Sequence, residues 1–256
     1  MTAPAKANPV LVTAAVLAVA LTCGTGAFGL LSEFTTSTVE RTNAFTPATS
    51  RLVVDADGDV TIDPSPDGRV HVHTVVRHGL GGPEIVQEAT AAGVRLDADC
   101  RAFPAVHCDI RHEVQVPPAF EVVVDGAEGD VVANGLTGVL RIERSSGDIT
   151  AIQHAGPLDL RTRTGEIRGD SLSTGVVRAE SDTGDVRLEL VAPPQSVDVT
   201  TDNGEVDLAV PAGTAYRVEA HTETGEQRVL VPLDATSPRN LRVDADTGDV
   251  TVRPSR

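Results

Sequence analysis

Residues 140–152 read LRIERSSGDITAI, residues 158–170 read LDLRTRTGEIRGD and residues 177–189 read VRAESDTGDVRLE. Each stretch places an aliphatic residue seven and five positions before a glycine, an acid directly after it, and Ile or Val one position further. Side chains spaced by two share one face of a strand, so each unit reads as strand, tight turn, strand with a single buried face. The glycine supplies a backbone conformation that other residues resist, and the adjoining acid suits a turn.

The unit recurs. Its turn glycines are Gly58, Gly129, Gly147, Gly165, Gly184, Gly204, Gly225 and Gly248, and from Gly129 the intervals are 18, 18, 19, 20, 21 and 23 residues. A fixed period near 20 residues is the signature of stacked units that bury their faces on one another. Two positions after the glycine the column runs Ile149, Ile167, Val186, Val206 and Val250, with Gln227 the exception. The expected fold is therefore all-β, a single β-solenoid of strand-turn-strand repeats. An antiparallel sandwich of hairpins is the alternative, but it gives equivalent positions no reason to repeat residue type so closely.

Parity makes further expectations. The residues just before the glycine, Ser146, Thr164, Thr183, Asn203, Thr224 and Thr247, fall on the apolar side and predict a hydrogen-bonding ladder up the stack. The outward columns carry charge: Arg141, Asp159, Arg178, Asp198, Glu219 and Arg242 in one, and Glu143, Arg161, Glu180, Thr200, His221 and Asp244 in the other. Units stacked in sequence order bring mostly opposite signs together, which favours register and solubility more than stability. Stack ends need protection against edge pairing. Residues 64–119 supply the irregular N-terminal part, with a strand bearing His71 and His73, a short helical stretch near Pro83–Ala92 and a cysteine loop. At the other end Pro254 and the chain end stop propagation.

Composition excludes several functions. The 256-residue chain has a net charge of −16, no Trp, one Tyr and five Phe. Sugar clefts and single-strand nucleic-acid platforms rely on aromatic faces, and an acidic surface repels phosphate backbones. Nucleic acid is not the expected partner, and no motif calls for a cofactor.

The only Lys is Lys6, no acid precedes Glu33, and from Val10 to Ser32 there is no charge at all. Residues 1–8 thus read as a short cytoplasmic start and 9–32 as a transmembrane signal anchor or signal peptide, long enough to cross a bilayer. Positive charge before it and acid after it orient the C-terminal part outside the cytoplasm. Cleavage near Thr25-Gly26-Ala27 and acylation of Cys23 are the other fates. Residues 33–50, rich in Thr and Ser, read as a linker, and 51–254 as the solenoid. Outside the cytoplasm Cys100 and Cys108 are expected to form a disulfide. A metal site of these two cysteines with nearby His107 and His112 is the sharper alternative, though paired C-x-x-C spacing is missing. His71 and His73, which share one strand face, are separate candidate ligands with His107 or His112, the commoner case being solvent-facing histidines without a ligand.

The repeated T-G-D-V and S-G-D-I turns, the alternating aliphatic strands and the N-terminal apolar segment together resemble the bacterial putative-adhesin family of β-strand-repeat proteins. The resemblance covers about residues 45–254 and is strongest from Gly129 to Val252. It implies a domain of unknown function associated with the cell envelope and carries no catalytic residues to this chain. The shortage of Lys departs from usual bacterial composition.

The most tempting chemistry is the acid after each turn. Asp130, Asp148, Glu166, Asp185, Glu205, Glu226 and Asp249 form a column of like charges that would attract Ca²⁺ or Arg. The plainer reading is an exposed acid that the turn tolerates, and the calcium-binding nonapeptide pattern is missing. No nucleotide loop, nucleophile elbow or zinc-protease motif occurs. The functional expectation is a non-catalytic, membrane-anchored binding or structural module whose partner is an envelope protein or cell-wall component. An envelope-stress or signalling accessory is the alternative. A polysaccharide-acting β-helix enzyme ranks below both, although a pocket carrying unpaired acids on one face would favour it.

Overall fold

The computed structural model describes residues 37–79, 83–99 and 108–255. Numbered along the chain, the strands begin with β1 (Ser37–Phe45), β2 (Arg51–Ala56), β3 (Asp59–Pro64), β4 (Val70–His78), β5 (Glu84–Thr90), β6 (Gly93–Asp99) and β7 (Cys108–Val116). Next come β8 (Glu121–Glu128), β9 (Val131–Asn134), β10 (Leu140–Ser146), β11 (Ile149–Ile152), β12 (Leu158–Thr164), β13 (Ile167–Leu172) and β14 (Val176–Thr183). The last are β15 (Val186–Leu190), β16 (Ser196–Asn203), β17 (Val206–Val210), β18 (Arg217–Thr224), β19 (Gln227–Val229), β20 (Asn240–Thr247) and β21 (Val250–Pro254).

From β8 onward each repeat is one coil, its first strand in a 10-stranded sheet and its second in an 11-stranded sheet. Neighbouring coils pair in parallel and in register, Leu140 on Leu158 on Val177 and Ile149 on Ile167 on Val186. The inner faces of the two sheets meet in an aliphatic core in which Ile142, Leu160, Val199, Ile167 and Leu208 are wholly buried. Burying a side chain of this kind stabilises by roughly 1.5–3 kcal/mol, so repetition rather than any large ring supplies the stability. This is a β-solenoid.

The coils do not stack in sequence order. In the first sheet the strands run β18-β20-β16-β14-β12-β10-β8-β2-β6-β5, and in the second β1-β4-β7-β3-β9-β11-β13-β15-β17-β21-β19. The last repeat, β20–β21, is therefore inserted between β16–β17 and β18–β19. Likewise β2–β3 lies between β6–β7 and β8–β9. The expectation that the chain end forms the end of the stack is corrected: β18–β19 is the outermost coil. Two features explain the order. Gln227 occupies the column that is Ile or Val elsewhere and is exposed, whereas Leu241, Val250 and Val252 of the inserted coil are wholly buried. Insertion also pairs Arg242 with Asp198 on one side and Glu219 on the other, where sequence order would set Glu219 against Asp198.

The N-terminal end changes hand. β4 lies antiparallel on β7, β1 antiparallel on β4, and β5 antiparallel on β6. Two expectations are corrected here. The Thr/Ser-rich segment read as a linker contains β1, and the stretch near Pro83–Ala92 read as helical is the strand β5. Pairing of Ile85 with Ala98 and burial of Ile85 override the local helix preference of Glu84, Gln87, Glu88 and Ala89. Among the described residues no helix is long and apolar enough to cross a membrane, and residues 9–32 lie outside them.

Candidate functional site

The corner between the two strands of a coil organises many of the polar residues of the repeats. The turn glycines stack directly, so that a Cβ on Gly165 would land on the carbonyl oxygen of Gly147, and one on Gly184 on that of Gly165. The strand pleat ends three residues before each glycine. Thr162, Ser181 and Thr201 occupy that position, are buried, and donate to the carbonyls of Gly147 (3.1 Å), Gly165 (3.1 Å) and Gly184 (3.2 Å) in the preceding coil. The ladder expected at Ser146, Thr164, Thr183, Asn203, Thr224 and Thr247 is thus corrected. Those side chains are exposed because the chain bends at the corner and parity does not carry across the bend.

Arg144 holds the same inward position in β10, and sequence reasoning missed it. Its side chain is 3% exposed and reaches over β8 to donate from Nη1 to the carbonyl of Ala56 at 2.7 Å. Gly126 makes the passage, since a Cβ there would collide with the guanidinium and with the Ala56 carbonyl. The readable signal was a glycine opposite a large cation in one column. Burial pushes the Arg144 guanidinium down from its ordinary value, with the surrounding Asp57, Asp125, Asp59 and Asp130 opposing that shift.

Over Arg144 lies an open groove of about 510 Å³, lined by Asp125, Glu143, Ser145, Arg161, Arg163, Glu180 and Asp182 among others. Its outward column reads Asp97, Asp55, Asp125, Glu143, Arg161, Glu180 across consecutive strands. Sign alternation holds from Glu143 to Glu180 but fails at the N-terminal side, where four acids adjoin. Arg95 bridges Asp55 at 3.3 Å and Asp97 at 3.2 Å. Among the described residues no Arg comes within ion-pair distance of Asp125, and burial, then Glu143 and Asp55, raise its carboxyl above the ordinary range. Chemically the Asp125 end of the groove favours a cationic group, while Arg161 and Arg163 put positive charge at its middle, with Glu180 and Asp182 beyond them on β14.

The acids after the turn glycines do form a column. Oδ1 of Asp130 accepts the backbone N–H of Asp148, that of Asp148 accepts Glu166, that of Asp185 accepts Glu205 and that of Asp249 accepts Glu226, each at 2.8 Å. Asp therefore serves the next coil through a short carboxylate that fits the corner. Glu166 instead pairs outward with Arg168 at 2.7 Å and Arg187 at 2.5 Å. Among the described residues no three His, Cys, Asp or Glu side chains group as a metal site.

The histidines separate. His71 and His73 point outward from β4, bonded to Asp67 at 2.8 Å and Thr42 Oγ1 at 2.8 Å. His112 is buried on the inward face of β7, with Nδ1 2.9 Å from Thr74 Oγ1. A shared metal site of His71 and His73 with His112 is thus corrected, because alternate strand positions face opposite ways. His107 and Cys100 lie outside the described residues. Cys108 opens β7 and is not a free thiol.

Burial, aided by the charge of Arg144, holds the His112 imidazole down at about 4. The folded state thus refuses a proton that the unfolded chain accepts below about 6.5, so stability falls as pH drops toward 4. At about 1.4 kcal/mol per pH unit, His112 accounts for a loss of about 2 kcal/mol between pH 6.5 and 5. Buried His154, also lowered, adds in the same direction. Urea titrations of the parent and of His112→Asn at both pH values should show a smaller loss in the variant. Equal losses would remove His112 from the account.

The family model described as Toastrack DUF4097 matches residues 121–253, more than half of the chain. The chain belongs to the Toastrack family. The match begins at β8, where the parallel coils start. Among solved structures this Toastrack chain is similar to a putative adhesin from Bacteroides fragilis, with 14% identity, TM-score 0.54, and coverage of 85% of this chain and 97% of that one. It is also similar to a putative adhesin from Parabacteroides distasonis, at 12% identity, TM-score 0.46 and coverage of 84% and 97%. These likenesses speak to fold. No curated protein matches the Toastrack chain significantly.

Proposed function

We propose that the protein is a non-catalytic binding or structural module of the bacterial cell envelope, anchored through residues 9–32 with its β-solenoid outside the cytoplasm. The observation that carries this reading is what the polar residues do. Turn aspartates cap the backbone of the next coil, corner hydroxyls serve the turn carbonyls, and outward charges such as Arg141 with Asp159 and Arg161 with Glu180 pair across strands. The chemistry-bearing side chains thus maintain a rigid stack that presents faces to a partner. The groove over Arg144, acidic at Asp125 and Glu143 and basic at Arg161 and Arg163, is the surface offered to an envelope protein or cell-wall component. A disulfide between Cys100 and Cys108 belongs to the same reading, since an oxidising compartment permits it. The family membership and the adhesin names of the structural neighbours are consistent with this proposal.

The test has two parts. Protease added to intact spheroplasts should destroy a tag placed after Arg256 while the chain stays with the membrane fraction. A photo-crosslinker at Ser145 or Arg163 should yield an adduct in the cell that one at Arg253, on the other sheet, does not. A protected tag, or adducts independent of position, would overturn the proposal.

A further inference from the structure

The two ends of the stack are finished differently. At the N-terminal end, Arg41 of β1 donates to the carbonyl of Ile85 in β5, and Asn43 Nδ2 donates to Gln87 Oε1 at 2.7 Å. Gln87 in turn donates to Thr74 Oγ1 at 2.8 Å. These bonds close the gap between the edge strands of the two sheets. At the C-terminal end β18 and β19 are the edges, and among the described residues no strand covers either. Val218, Ala220 and Val229 on their inner faces stay half-exposed, and Leu230 and Leu233 beside them are 63% and 65% exposed.

The edge of β18 is also available for pairing. Arg217 N–H donates toward β20, to Arg239 O at 2.9 Å. Along a strand the direction of the backbone groups alternates, so Val218, Ala220 and Thr222 turn their N–H and C=O away from β20 and outward from the stack. Two such strands laid antiparallel with Ala220 opposite Ala220 form hydrogen-bonded pairs at these three positions.

The side chains decide which strand fits. The outward residues of β18 are Arg217, Glu219, His221 and Glu223. In the antiparallel register centred on Ala220, Arg217 faces Glu223 of a second copy and Glu219 faces His221, and the two-fold axis repeats both contacts. All outward positions thus meet an opposite charge or a histidine beside a carboxylate, a favourable cross-strand arrangement. The opposite edge of the same sheet behaves in the contrary way. Centred on Val86, β5 would set Glu84 against Glu88 of its copy, like against like.

We infer that the protein self-associates as a two-fold dimer by antiparallel pairing of β18 with β18 of a second copy, continuing the 10-stranded sheet across the axis. An isologous contact of this kind closes on itself and leaves the clasped N-terminal ends pointing away. Val218 and Ala220 gain a cross-strand neighbour on their open side in the same contact. The inference does not depend on membrane anchoring or on the groove over Arg144, so the fate of either leaves it unchanged.

Charge reversal with rescue tests it on the full chain in detergent, by sedimentation and chemical crosslinking. Arg217→Glu puts two glutamates in contact at both symmetry-related sites, and Glu223→Arg puts two arginines there. Each single variant should weaken the dimer by roughly tenfold or more, and the double variant should return it to near the parental constant. Both side chains are exposed on the outermost coil, so at concentrations low enough that parent and variants are all monomeric the melting temperature should remain that of the parent, which separates lost pairing from lost folding. A monomeric parent, single variants that dimerise like the parent, or a double variant no better than the singles would each overturn the inference. Pairing through the N-terminal apolar segment gives the second of these outcomes, and β-augmentation by a different protein gives the first.

Discussion

Gly165→Ala is expected to cost the protein about 3–6 kcal/mol, whereas Gly213→Ala costs about 1 kcal/mol. Both glycines have positive φ, 151° and 85°, so the backbone strain of an alanine is shared. The neighbourhoods differ. A Cβ on Gly213 meets nothing within 4 Å, while one on Gly165 falls on the carbonyl of Gly147. Making room means parting two coils at the corner. That opening loosens the bonds from Gly147 N–H to Thr164 O at 3.0 Å and from Ile149 N–H to Glu166 O at 2.9 Å. It also draws Thr162 Oγ1 away from the Gly147 carbonyl. A typical domain has only about 5–15 kcal/mol in total, so the first variant should melt far earlier or fail to fold. Urea denaturation of both variants reads the difference directly. Similar losses would mean that the glycines serve only the turn and not the stack.

Ending the chain after Arg239 should remove the cooperative fold of the C-terminal half, although only the last two strands are lost. Those strands, β20 and β21, are an interior coil in contact with β16–β17 on one side and β18–β19 on the other. Leu241, Val243, Val250 and Val252 are each no more than 1% exposed. At roughly 1.5–3 kcal/mol per buried side chain, their loss rivals the whole stability of a domain. The stranded β18–β19 then has no partner at its proper register. Excising residues 214–236 is the informative contrast. It removes the outermost coil and leaves six residues between β17 and β20, close to the five that join β15 to β16. That deletion should keep a cooperative transition and resistance to limited proteolysis from β8 to β17. Were the coils stacked in sequence order, the two deletions would exchange their effects.

The repeat itself was legible because side-chain parity is local. Leu140, Ile142 and Ile149 declare their faces within ten residues, and every coil in the family-matched part except β18–β19, with its Gln227, obeys the pattern. Parity stops at the corner, which is why the column before the glycine looked inward and is exposed; Thr162 and Arg144 keep the inward parity but are polar, and so do not stand out as core residues. The N-terminal end was harder still. β1 lies in a segment without periodicity, and β5 is built of helix-favouring residues; both are strands because an open sheet edge offers backbone partners that their own sequences do not advertise. The groove was half-readable. Its charges were in the predicted outward column, but the adjoining acids Asp55, Asp125 and Glu143 come from repeats 18 to about 70 residues apart, brought together by stacking.

By itself, then, the sequence determined the coil: a glycine-acid turn between two strands, an aliphatic inner face and a charged outer one, with the acids placed where a turn accepts them. Tertiary structure alone decided the order of the coils and hence which charges and edges meet. The reason is energetic. A coil's internal geometry follows from its own residues, whereas its neighbours are chosen among several nearly equivalent parallel interfaces. Small differences settle that choice, here Gln227 on an inner face and Arg242 between Asp198 and Glu219.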